Sequence, residues 1–130
     1  MKIMLDTNVL FSALLFPSSK PAKVLDIVAE KHSLVLCDHI KAELHNVMAR
    51  KRPHLLNALE MLLNTIPYEV AHSDRLTSVV ISDPNDQPIL NAAISGDIDI
   101  LVTGDKHFLS LIISRPKILT PAEFLTSVSI

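Results

Sequence analysis

The sequence predicts an α/β fold in which a parallel sheet is flanked by helices. Short β-prone runs alternate with longer stretches of helical period, and no repeat, low-complexity segment or linker interrupts the alternation. The length agrees: 130 residues suit one domain, spanning 1–130, that can bury roughly two thirds of its unfolded surface.

Strands are expected at 2–5, 34–37, 68–71, 98–102 and 117–119, with helices filling most of the gaps. After the first strand, "NVLFSALLF" makes a helix that stops before Pro17, because a residue preceding proline is pushed out of the helical region. "KPAKVLDIVAEKH" starts with Pro21 in a first turn and sets Val24, Leu25 and Val28 on one stripe. In "DHIKAELHNVMARK", Ile40, Leu44, Val47 and Met48 stand at i, i+4, i+7 and i+8, an amphipathic pattern. "PHLLNALEMLLNTI" repeats it with Pro53 at its head. The last strand leads into "TPAEFLTS", where Thr120 caps a helix with Pro121 first and Glu123 third, a capping box.

Composition narrows the function. The one cysteine, Cys37, cannot form an internal bridge and reads as a small buried hydrophobe, so the expected compartment is the reducing cytoplasm. Asp6 and Asn8 cut the first apolar run too early for a signal peptide, and no stretch approaches the roughly 18 apolar residues of a membrane span. A net charge of -2 argues against binding nucleic acid by bulk positive charge. With 48% hydrophobic and 20% charged residues the chain is apolar for its size, which points to a partner or a dimer face.

The acids carry the chemistry. Asp6 follows "KIML" directly, which sets it at the carboxyl end of a parallel strand, the edge where open α/β sheets bind ligands. Its simpler role is a helix N-cap worth about 1 kcal/mol. Glu43 lies about 85° from the centre of the Ile40 stripe, beside the buried seam, where a solvated glutamate is the commoner outcome. In "SDPNDQPILNAAIS", Pro88 is comfortable only in a first turn, so the helix starts no earlier than Asn85 as N-cap. Asp83 then belongs to a turn and reads as a surface cap. Asp86 falls in line with Ile89, Leu90 and Ala93, an unusual place for a carboxylate unless something neutralises it. "DILVTGDKHFLSLII" repeats the opening pattern: an apolar strand, Gly104 at a turn, then Asp105 leading into a helix. If these edges converge, Asp6, Glu43, Asp86 and Asp105 form one pocket. Two carboxylates about 4 Å apart repel by roughly 4 kcal/mol at an effective dielectric of 20, so a divalent cation is expected there. Oxygen ligands favour Mg2+ or Mn2+ over zinc, and such an ion can activate water against a phosphodiester. Asn8 and Thr103 would orient the acids or the water.

In order and spacing, "MLDTNVLFSAL", "IKAELHNVM", "SDPNDQPILNAAI" and "LVTGDKHFL" resemble the acidic motifs of the PIN domain family. "PKILTPAEFL" resembles the ending of PIN toxins of the VapC-like group from toxin-antitoxin pairs. The resemblance implies a three-layer α/β/α sandwich around a parallel sheet and metal-dependent RNA cleavage. Asp6, Glu43, Asp86 and Asp105 match the family's metal-binding acids, Asn8 and Thr103 its polar supports, and Asp83 a fifth acid. It also implies a homodimer and a cognate antitoxin protein. Pro88 departs from similar sequences, which often carry a polar or charged residue there.

"ARKRPH" is the one basic cluster, and Arg50, Lys51 and Arg52 could hold an RNA backbone, although cations are also favoured at a helix end by its dipole. The six histidines show no zinc-site spacing, so surface placement is the default for each. One tyrosine and four phenylalanines do not make a stacking platform for single strands. Two rival readings stand beside the nuclease. A phosphate-transferring receiver-like or dehalogenase-like domain also ends its first strand in Asp, but leaves Glu43 unexplained. A catalytically silent PIN-like module would bind RNA or protein without cutting.

Overall fold

In the computed structural model, which describes residues 1–128, the strands are β1 (Lys2–Leu5), β2 (Ser33–Cys37), β3 (Glu69–Ala71), β4 (Ile100–Val102) and β5 (Lys117–Leu119). They form one sheet in the order β3-β2-β1-β4-β5, with every pairing parallel. The last two residues of the expected 1–130 domain lie outside the described residues.

Helices α1 (Thr7–Leu15) and α2 (Lys20–Lys31) connect β1 to β2, while α3 (Asp38–Lys51) and α4 (Leu56–Thr65) connect β2 to β3. Helix α5 (Gln87–Ser95) carries the chain back across the sheet to β4, α6 (Lys106–Leu109) leads to β5, and α7 (Pro121–Val128) packs against α2 and β5. Parallel crossovers are right-handed, so α1 to α4 cover one face and the connections running the other way cover the opposite face. Burial agrees with this three-layer arrangement. Successive residues of β1, β2 and β4 are buried without alternation, as strands covered on both sides require.

Most elements lie within a residue or two of expectation, and the departures have local causes. Strand β4 begins at Ile100 rather than 98, because the Ile98 N–H is taken by the Ala93 carbonyl in closing α5. Gly96 ends that helix where an added Cβ would stand 2.8 Å from the Ala92 carbonyl oxygen, and Asp97 follows with φ 58°. The segment expected as one helix from Pro53 opens with a 3-10 turn, Pro53–Leu55, before α4. The capping box forms as expected: Glu123 N–H donates to Thr120 Oγ1 at 3.1 Å, and Thr120 N–H to Glu123 Oε1 at 2.9 Å.

The strand order decides where a ligand can sit. From β1 the chain winds outward through β2 and β3, and from β4 outward to β5, so the order reverses between β1 and β4. A crevice opens outside the carboxyl ends of strands at such a reversal. A receiver-like sheet would have the order 2-1-3-4-5, so topology removes the receiver-like form of that rival.

Candidate functional site

Asp6 and Thr103 extend β1 and β4 at the reversal, where Leu5 pairs with Val102 and the Asp6 N–H donates to the Val102 carbonyl at 3.2 Å. The Asp6 side chain divides its oxygens between two tasks. Oδ1 accepts the Val9 N–H at 2.9 Å, so Asp6 itself caps α1. Asp6 thus fills the capping role the sequence allowed it and keeps its second oxygen for the pocket. Oδ2 accepts the hydroxyl of Thr103, which is fully buried. The same hydroxyl oxygen accepts the Asp105 N–H at 3.0 Å, so one threonine fixes the acids that follow both central strands. Asp105 Oδ1 in turn caps α6 by accepting the His107 N–H at 2.8 Å.

Asp86 arrives from the segment before α5. Its N–H closes a turn onto the Asp83 carbonyl at 3.0 Å, and it occupies the N-cap position of α5, within the bound of no earlier than Asn85 that Pro88 sets. Pro88 sits within the first two helical positions, as its missing N–H demands, and does not displace Asp86. Unlike Asp6, the Asp86 carboxylate makes no cap bond. Gln87 holds this segment in place. Its Oε1 accepts the Ile81 N–H at 3.0 Å, and its Nε2 donates to the Val79 carbonyl and to Asn91 Oδ1, each at 2.9 Å. Sequence reasoning missed Gln87; the polar pair Gln87 and Asn91 at i, i+4 on an otherwise apolar helix was the available signal.

Glu43, on α3, stands with its Oε1 3.1 Å from His39 Nε2 but without hydrogen-bond alignment. Asp6, Glu43, Asp86 and Asp105 then line one cavity of about 80 Å³ together with Thr7, Asn8, Val47, Ile89 and Phe108. The structure thus brings the four acids together, with Asn8 exposed at the rim and Thr103 buried beneath. Asp83 is not among the lining residues, although its Oδ2 lies 4.0 Å from His107 Nδ1. Arg50, Lys51 and Arg52 do not line the cavity either. Lys51 Nζ stands 5.7 Å from the centre of the Phe11 ring, and Arg52 Nη1 donates to the Lys51 carbonyl at 2.8 Å.

His107 is the residue that sequence reasoning left on the surface. Its Nδ1 lies 3.1 Å from Asp105 Oδ1 and 3.7 Å from Asp86 Oδ2. It follows Asp105 by two positions, and that closeness was the one signal present.

Among the described residues no Lys or Arg pairs with the acids of the cavity, and imidazoles are the only basic groups beside them. Burial pushes the Asp86 carboxyl up to about 7, the hydrogen bond and charge of Asp105 and the charge of Asp83 add to this, and His107 opposes it. Burial raises Asp6 as well, against the Thr103 and Val9 hydrogen bonds, with Asp105 and Glu43 adding like charge. The buried atoms Glu43 Oε1, Asp86 Oδ2 and His107 Nδ1 have no hydrogen-bond partner among the described residues. Such orphaned polar atoms call for an explanation, and a cation satisfies oxygen and imidazole atoms together. Asp83, Asp86 and His107 can each offer one ligand atom, all within 4.8 Å of one another.

The family model of the PIN domain matches residues 2–107. Among solved structures, a chain in the crystal structure of VapBC2 from Rickettsia felis bound to a DNA fragment from their promoter shares the fold. It has a TM-score of 0.67 at 18% identity, over 92% of this chain and 97% of that one. No curated protein matches by sequence. Among the described residues, no helix is long and apolar enough to cross a membrane.

Proposed function

The chain belongs to the PIN domain family, and on that premise we propose that it is a metal-dependent endoribonuclease, the toxin of a toxin-antitoxin pair. The observation that carries this reading is the cavity at the strand-order reversal, where four carboxylates meet with no Lys or Arg ion pair to any of them among the described residues. Asp6, Glu43, Asp86 and Asp105 would hold Mg2+ or Mn2+, which when bound lowers the pKa of a water and neutralises charge on a phosphate oxygen.

The chain's own residues do the positioning. Thr103 holds the Asp6 and Asp105 groups relative to each other through one hydroxyl. Gln87 fixes the segment that delivers Asp86, and Asp83 supplies a further negative charge beside it. Asn8 at the rim is placed to orient a water or a phosphate oxygen. Arg50, Lys51 and Arg52 are exposed, and at a 1.5 Å rise per residue Arg50 lies about 10 Å along α3 from Glu43. They are candidates for phosphates flanking the one that is cut.

The shared fold with a chain of a VapBC complex supports an antitoxin protein as partner; a homodimeric toxin acting in the cytoplasm on RNA completes the proposed reading. Cleavage of structured and unstructured RNA in the presence of Mg2+ or Mn2+ tests the assignment. EDTA, Asp6→Asn and Asp86→Asn are each expected to abolish cutting while the fold survives by circular dichroism. Equal activity in the variants sinks the site, and an inactive wild type favours the silent binding module. A small reading frame encoded immediately upstream would support the toxin role over that of a housekeeping nuclease.

A further inference from the structure

The geometry points to His107, which borders the acid cavity beside its lining residues Asp86 and Asp105, as a nitrogen ligand that gives this site a preference for Mn2+ over Mg2+ that four carboxylates alone would not give. This rests on the metal reading above and concerns which cation is taken and by which atoms.

The argument starts from spacing. Two donors each about 2.1 Å from one ion, at bond angles of 90 to 120°, stand about 3.0 to 3.6 Å apart. His107 Nδ1 is 3.1 Å from Asp105 Oδ1, 3.7 Å from Asp86 Oδ2 and 4.0 Å from Asp83 Oδ2. The Asp105 separation falls within this range and the Asp86 separation lies just above it, so these two acids can share a centre with Nδ1, whereas Asp83 stands farther out. The separations do not match a finished hydrogen bond, because Nδ1 is buried and makes none. Asp86 Oδ2, facing it, is equally buried and equally without a partner.

The backbone explains why the ring is held there. His107 N–H is committed to Asp105 Oδ1 at 2.8 Å, which anchors the residue in the first turn of α6 beside the acid it follows. Phe108, the next residue, is 1% exposed and pins that turn against the core. The imidazole therefore sits on a fixed base, as a ligand must if it is to contribute without a large ordering cost.

Donor chemistry gives the selectivity. Mg2+ takes oxygen ligands and keeps much of its water, whereas imidazole nitrogen suits transition metals. Adding one nitrogen to an otherwise carboxylate set strengthens Mn2+ binding more than Mg2+ binding.

The test is pulsed EPR on the full-length protein loaded with Mn2+, together with Mn2+ titration and Mg2+ competition for wild type, His107→Ala and His107→Gln. Wild type should show 14N modulation from a coordinated imidazole, lost in both variants. Mn2+ affinity should fall about tenfold or more in the variants, and Mg2+ affinity should stay within about threefold. His39, 3.1 Å from Glu43 Oε1, is the other imidazole at hand, and His39→Ala should retain the 14N signal. Mn2+-loaded wild type without 14N modulation overturns the inference while leaving the nuclease assignment standing, and that measurement needs no variant to fold. Modulation that persists in His107→Ala, or equal losses for the two cations, also overturns it. A wild type that binds no divalent cation overturns both this inference and the metal reading beneath it.

Discussion

Acids cluster at both edges of the same sheet, and the two clusters are built differently. At the amino edge, Asp99 precedes β4 and accepts the Lys2 N–H at 2.8 Å, while Arg115 Nη2 donates to its other oxygen at 2.8 Å and Arg115 Nη1 reaches Asp97 Oδ1 at 3.3 Å. The Lys2 hydrogen bond, ahead of the Arg115 charge, holds the Asp99 carboxyl below its usual range. At the carboxyl edge, Asp6 and Asp86 are pushed the opposite way, chiefly by burial, with imidazoles as the only basic side chains paired to the site acids among the described residues. Acids that serve the fold come with their donors, whereas these acids leave lone pairs open at a cost in stability. Such a cost is characteristic of sites kept for a ligand.

The largest expected effect breaks the carboxyl cluster. Asp86→Asn should lower RNA cleavage by at least about a hundredfold, the upper scale for losing a group that holds or orients a metal. In metal-free protein it should raise Tm near neutral pH, since it removes a buried like charge. The pH dependence has a definite sign. Asp86 has a folded value of about 7 against 3.8 for the free group, so the folded state binds more protons across that window. Metal-free stability should therefore fall as pH rises from about 4 to about 7, and Mg2+ or Mn2+ should flatten the slope by favouring the ionised form. A thermal-melt series with and without metal checks this, and a flat metal-free profile counts against it. Asp99 has the reverse sign: its contribution is present above 3.8 and is lost only as pH falls below that value.

Thr103→Val should come next. It keeps the shape but leaves Asp6 Oδ2 and the Asp105 N–H without their shared partner, a loss of about 1 to 3 kcal/mol readable by urea denaturation. Cleavage should fall as well, because both acids lose their common anchor; unchanged stability would mean the hydroxyl link does not hold the edge together. Arg115→Ala is the smallest. It removes the cation of the amino cluster, so Tm should drop less than for Thr103→Val, and cleavage should not change, since the residue lies at the opposite edge of the sheet. A large loss of cleavage in Arg115→Ala would erase the distinction between the two edges.

Legibility in the sequence follows the range of the interactions. Strands β1 and β5 occupy the expected residues, and the Thr120 capping box closes as read, because each depends on neighbours a few positions away. Asp6 was ambiguous between helix cap and pocket acid for a physical reason: one carboxylate faces both ways, with Oδ1 on α1 and Oδ2 on Thr103. Glu43 gave a weak signal because a position beside a buried stripe says nothing about which element covers it. His107 carried no motif at all, since its contacts with Asp83 and Asp86 span more than twenty residues and exist only where α6 meets the turn before α5.

By itself, then, the sequence determined the alternation of strands and helices, their caps and breaks, and the acids that stand at element ends, all set by backbone hydrogen bonding and side-chain period within a turn or two. Only the tertiary structure decided the order β3-β2-β1-β4-β5, the meeting of four acids and an imidazole at its reversal, and the upward shift of Asp86. Those depend on which distant surfaces pack together, because desolvation and like-charge repulsion arise only once packing has removed the water between them.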